Sequence, residues 1–156
     1  MLRFSLTVSE AEEEVCGFSL GHMVVTGREG AATSVGHRPD QSMMIFLAAV
    51  ELLDGLRRFL RDPAQASYHF VGVDSSFQWV AEKLRDSVLL VGIEGRVDEV
   101  PASELTAAAL AGVRNLVAEH HHQLDENDAA WRDLQVAVAD FEAAFQLTKG
   151  LSGEAG

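Results

Sequence analysis

The residues best suited by type to chemistry are three consecutive histidines, His120, His121 and His122. On a helix, successive side chains point about 100° apart, so three in a row cannot converge on one ion. Ligand pairs come at i and i+3 or i+4, as in Glu119 with His122 or His121 with Asp125. A zinc-type site takes three or four ligands, and no further ligand is visible at matching spacing. The run is therefore read as a solvated helix C-terminus, where imidazole suits the dipole, and no metal or other cofactor is expected.

Other candidates are equally isolated. Asp54 and Asp74 would do general acid–base work only if folding brought them together in a cleft; otherwise Asp54 faces solvent or a strand and Asp74 makes an Asx turn. His22, His37 and His69 are scattered, and His22 reads as a hydrogen-bonded residue at the core edge. Cys16 has no partner base and reads as a buried thiol. No phosphate loop, dinucleotide fingerprint or cysteine cluster occurs. The chain is expected not to be an enzyme.

Charge is the more informative signal. Twelve basic residues face twenty-four acidic ones over 156 residues, a formal net charge of −12. Residues 1–93 hold twelve acids against eight bases, and residues 94–156 hold twelve against four. The densest runs are Glu10, Glu12, Glu13 and Glu14, then Asp125, Glu126 and Asp128. Such a field disfavours nucleic acid and anionic membrane and speeds encounter with a basic partner, although acidity can also serve solubility alone. The longest apolar run, residues 43–50, falls short of the ~20 residues that cross a bilayer. The N-terminal residues show no signal-peptide pattern, so a cytoplasmic location is expected.

The elements follow from periodicity. Leu2, Phe4, Leu6 and Val8 alternate with polar residues, which marks a half-buried strand. Residues 10–14 form a loop. A second strand over 15–26 would place Phe18, Leu20, His22 and Val24 on one face, unless Gly21 is a bulge. The glycines of 27–30 turn the chain into a third strand at 31–35. A helix capped by Asp40 or Ser42 runs to Arg61 before Asp62 and Pro63; Gly55 in its interior implies a close neighbour. Strands follow at 68–73, 76–83, 87–93 and 95–100. A second helix covers 101–124, and a third starts at the Asp128 cap. Residues 1–148 are expected to form one α+β domain, with an antiparallel sheet of about six or seven strands packed on a long central helix and two C-terminal helices. Residues 149–156 are expected to be a flexible tail.

On the third helix Trp131, Leu134, Val138, Phe141 and Phe145 repeat at 3-4-3-4 spacing, over too few heptads for a coiled coil. The stripe either covers the domain's own core or forms a partner surface. In the second case Asp128, Asp133, Asp140 and Glu142 would be its acidic rim, suited to a basic protein, or the stripe would be a homodimer seam.

Residues 43–56 (MMIFLAAVELLDGL), 70–77 (FVGVDSSF) and 100–105 (VPASEL) behind short N-terminal strands resemble small proteins of GC-rich bacteria similar to immunity proteins encoded beside polymorphic toxins. The resemblance covers about residues 1–120 and carries no functional residue. It implies a non-catalytic, immunity-like antitoxin that occludes a basic toxin or enzyme. The alternative is a structural or regulatory protein that self-associates through the 131–145 stripe.

Overall fold

The computed structural model describes residues 1–147, so the expected tail at 149–156 lies outside the described residues. The elements, in order, are β1 (Arg3–Val8), β2 (Leu20–Thr26), β3 (Ala31–Thr33), β4 (Met43–Met44), α1 (Ile45–Arg61), β5 (Ser67–Val71), β6 (Gln78–Lys83), β7 (Val88–Gly92), β8 (Gly95–Val100), α2 (Ala102–His120) and α3 (Ala129–Phe145).

The class is α+β with antiparallel pairing, but the expected single sheet of six or seven strands on a central helix is replaced by two four-stranded sheets. The physical reason is where pairing runs out. β3 is three residues long and β4 two, so β2 offers them only a divided edge before the chain leaves into α1. Short turns then pair β5, β6, β7 and β8 consecutively into a second meander. A register shift at Leu90/Val91 twists the β7–β8 ladder at the side facing the first sheet.

Cross-strand pairing also inverts the expected face of β2. Phe4 lies opposite Val25 and Leu6 opposite Met23, and all four are buried. Residues directly opposite share a face, so Met23 and Val25 turn inward, Phe18 and Leu20 are exposed and His22 is half-buried. β2 itself begins at Leu20 rather than at residue 15. Helix α1 starts at Ile45 without a side-chain cap. Asp40 is spent on its own turn, accepting from the Ser42 N–H (3.0 Å) and hydroxyl (2.8 Å). Helix α2 ends at His120, four residues earlier than expected.

Helix α1 packs against β1, β2, β5, α2 and α3, and α2 packs along β1. Gly112 of α2 permits that approach, because a Cβ there would stand 2.6 Å from the Phe4 carbonyl oxygen.

The two sheets are tied at the β2–β3 turn. The Glu29 N–H bonds the Val97 carbonyl at 2.9 Å. Beside it Asp98, 2% exposed, accepts the Arg28 N–H (3.2 Å), the Glu99 N–H (2.8 Å) and the Arg28 guanidinium (3.1 and 3.2 Å). Burial alone would raise the Asp98 pKa, but these donors and the Arg28 charge outweigh it and hold the carboxyl below its ordinary value. A depressed folded-state pKa gives stability that is present above the unfolded pKa of about 3.9 and lost as pH falls through the folded one. Asp98→Asn should therefore cost about 2 kcal/mol at pH 7. In thermal melts across pH, the gap to the wild type should narrow below about pH 4; a gap unchanged down to pH 2 would remove the carboxylate from this account.

Candidate acidic binding face

The most distinctive polar feature joins the two acidic runs. The loop between β1 and β2 turns at Cys16, Gly17 and Phe18 and lies against the start of α3. There the Gly17 N–H donates to Asp128 Oδ2 at 3.0 Å, across 111 residues of sequence. Asp128 Oδ1 accepts the Trp131 N–H at 3.1 Å, so one carboxylate both caps α3 and anchors the loop. A Cβ on Gly17 would stand 2.1 Å from Asp128 Oδ1, so only glycine fits this contact. The loop is also held from within: the Cys16 N–H bonds Ser19 Oγ at 2.8 Å, and Glu12 accepts the Leu20 N–H at 3.1 Å.

Glu10, Glu12, Glu13 and Glu14 thus belong to a loop fastened to the turn that carries Asp125, Glu126 and Asp128. No lysine or arginine among the described residues lies within 4.0 Å of any of these seven carboxylates. Within the same loop the Phe18 side chain is 62% exposed, and Leu20 beside it is 37% exposed. The Phe18 ring thus stands at the surface in a loop of carboxylates that have no lysine or arginine partner among the described residues. It can bury itself in a partner's pocket while the carboxylates meet cations.

No family model, curated protein or solved structure matches this chain.

The other sequence candidates are placed as follows. Trp131, Leu134 and Phe141 are buried, and Val138 and Phe145 are half-buried against the same core, with α3 packed on α1. The stripe thus packs on the domain's own core, one of the two placements its spacing left open, and its large rings are desolvated inside the fold. Asp133 and Asp140 stay exposed on the far side. Glu142, by contrast, is ion-paired with Arg114 of α2 across an open groove of ≈ 580 Å³ lined by Val117, Ala118 and Val138.

The histidine run does not converge. His120 packs edge-on against Phe46 and bonds Gln123 Oε1 at 2.6 Å, while His121 reaches the Ala118 carbonyl at 3.2 Å. Among the described residues no three His, Cys, Asp or Glu side chains are grouped as a metal site. His22 Nδ1 lies 2.8 Å from Ser34 Oγ, His37 Nε2 2.7 Å from the Thr33 carbonyl and His69 Nε2 2.7 Å from Gln78 Oε1. Cys16 is exposed, not buried.

Asp54 pairs with Arg57 at 3.4 Å, and Asp74 sits in the β5–β6 turn with φ +58°. No hydrogen bond joins the two among the described residues. Tyr68, near Asp54, donates to the Glu51 carboxylate (2.9 Å) or carbonyl (3.1 Å). Burial, then the Glu51 charge, push its pKa far above the ordinary value, so the phenol remains a donor.

Sequence reasoning found both acidic runs and missed their meeting. It also put Phe18 on a strand face with Leu20, His22 and Val24, where the structure has it exposed in the loop before β2. The local hint was a glycine between Cys16 and Phe18 in a loop with no hairpin turn to explain it.

Proposed function

We propose that the protein is a non-catalytic binding module that docks a basic protein on the face formed by residues 10–18 and 125–128. On this reading it acts as an immunity-like antitoxin, meeting its toxin or enzyme in the cytoplasm and occluding it. The observation that carries the proposal is the joining of two acidic runs, by the Gly17–Asp128 bond, around the exposed ring of Phe18. The carboxylates would steer the encounter and occupy cationic sites that serve an anionic substrate, and Phe18 would supply the apolar anchor. No helix among the described residues is long and apolar enough to cross a membrane.

The test is affinity capture from source cells at low and high salt, with mass spectrometry of the retained proteins. Wild type should retain a basic protein. Phe18→Ala should weaken it by about 10-fold or more. Lysine at Glu12 and Glu13 together should slow association most at low salt, where screening is least. Retention of the same proteins by both variants, or of no basic protein, would refute the reading.

A further inference from the structure

A cavity lies where the two sheets meet. It encloses ≈ 140 Å³ between β3, the loop that follows it, the start of β6 and the β7–β8 turn. Its apolar walls include Ala32 and Phe77, both buried, and Ile93, which is 75% exposed. Contacts between distant elements fix these walls. A Cβ on Gly92 would stand 3.0 Å from the Ala32 Cβ, so the sheets touch beside the cavity. The loop over residues 34–42 is held at one end by the Ser34 N–H, which bonds the Met23 carbonyl at 3.1 Å. At its other end the Ser75 hydroxyl donates to the Gln41 carbonyl at 2.8 Å. The space is therefore formed by the fold itself, as small-molecule sites usually are.

The polar side chains on the lining divide into engaged and free. Thr33 Oγ1 accepts the Val35 N–H at 3.0 Å, and Gln78 Oε1 meets His69 Nε2 at 2.7 Å. His37 gives its Nε2 proton to the Thr33 carbonyl at 2.7 Å, since a carbonyl only accepts, which leaves Nδ1 as the acceptor of the neutral ring. The half-buried Gln41 carboxamide takes no hydrogen bond from the described residues. Glu94 is exposed and has no lysine or arginine within 4.0 Å among the described residues.

These groups select a ligand by size, polarity and charge. An apolar cavity of about 150 Å³ holds one benzene ring, so this space takes a single six-membered ring. A free carboxamide offers an N–H donor beside a C=O acceptor. Its full match is a ring edge with one acceptor beside one donor, the way glutamine matches the edge of adenine. A hydrocarbon ring would strip water from Gln41 and return no hydrogen bond. Glu94, within a chain of net charge −12, disfavours an anion. We propose that the cavity binds a neutral single-ring heterocycle with an amide-type edge, the chemical class of the free pyrimidine bases, through paired hydrogen bonds to Gln41. The proposal is independent of the basic-partner reading, since no residue of 10–18 or 125–128 lines the cavity.

The test is titration of the isotope-labelled full chain, followed by two-dimensional NMR, with uracil as the probe and benzene as a ring of similar size that lacks the polar edge. Uracil should saturably shift the Gln41 side-chain amide and the Ala32 N–H, while the Val136 N–H on α3 stays fixed. Gln41→Leu should raise the dissociation constant about 10-fold or more, because both hydrogen bonds are lost. Gln41→Glu, which removes the donor and keeps the shape, stands in if the leucine variant fails to give wild-type circular dichroism. Benzene should bind about 10-fold more weakly than uracil, or not at all. No saturable shift up to the solubility limit of uracil overturns the proposal. Equal binding of benzene also overturns it, because the space would then be an unselective apolar void. So does a uracil affinity that is unchanged in a folded Gln41 variant.

Discussion

Phe141→Ala is expected to destabilise the fold by about 3–5 kcal/mol, the range for emptying a fully buried phenylalanine site. Phe141 is 0% exposed and meets Phe145 in an edge-to-face contact with ring centroids 4.9 Å apart. Removing the ring loses its transfer energy and leaves a cavity between α3 and the core that rigid helices cannot fill. Domains of this size are stable by only about 5–15 kcal/mol, so the loss is a large share of the total. Urea unfolding, followed by the fluorescence of Trp131 and Trp79, would read it as a lower midpoint at unchanged slope. Val136→Ala is the control, since Val136 lies on the same helix but is 60% exposed; it should change stability by less than about 0.5 kcal/mol. If the two variants behaved alike, the aromatic stripe would be a surface after all.

The second large effect is at Gly55. Alanine in a helix interior normally gains about 1 kcal/mol over glycine, and here the sign should reverse. A Cβ at Gly55 would stand 2.1 Å from Tyr68 Oη and 2.3 Å from Cζ. Tyr68 is 7% exposed, lies 6.2 Å from the Phe59 ring and 5.9 Å from Trp79, and so has nowhere to retreat. Overpacking plus loss of the Tyr68–Glu51 hydrogen bonds should leave a net cost of about 3 kcal/mol. Tyr68→Phe should not rescue it, because the ring carbons already overlap the new methyl. Tyr68→Ala should, making the double variant less destabilised than the sum of the singles. Strict additivity would mean that glycine is not required by this ring.

Features set by neighbouring residues were legible in the sequence. Alternation gave β1, Asp62 and Pro63 gave the end of α1, Asp128 gave the cap of α3, and Gly55 announced the close approach that Tyr68 makes. What failed depends on partners far along the chain. Both faces of β2 carry apolar side chains, so only its pairing with Phe4 and Leu6 decides which turns inward. Asp40 looks like a helix cap until its oxygens are seen serving Ser42. The division into two sheets reflects how much edge β3 and β4 leave open, a length that composition does not reveal. The acidic face was half legible: its carboxylates stood out, but no local pattern tells residue 17 that it will meet residue 128.

That meeting has a consequence for the order in which the molecule is made. The 10–14 loop is synthesised more than a hundred residues ahead of its mate at 125–128, which immediately precedes α3. A nascent or partly folded chain therefore carries two weak, separate acidic segments, and only the finished fold presents them as one. Any ligand that needs both halves distinguishes mature protein from incomplete protein, and by binding only the former it would draw folding to completion.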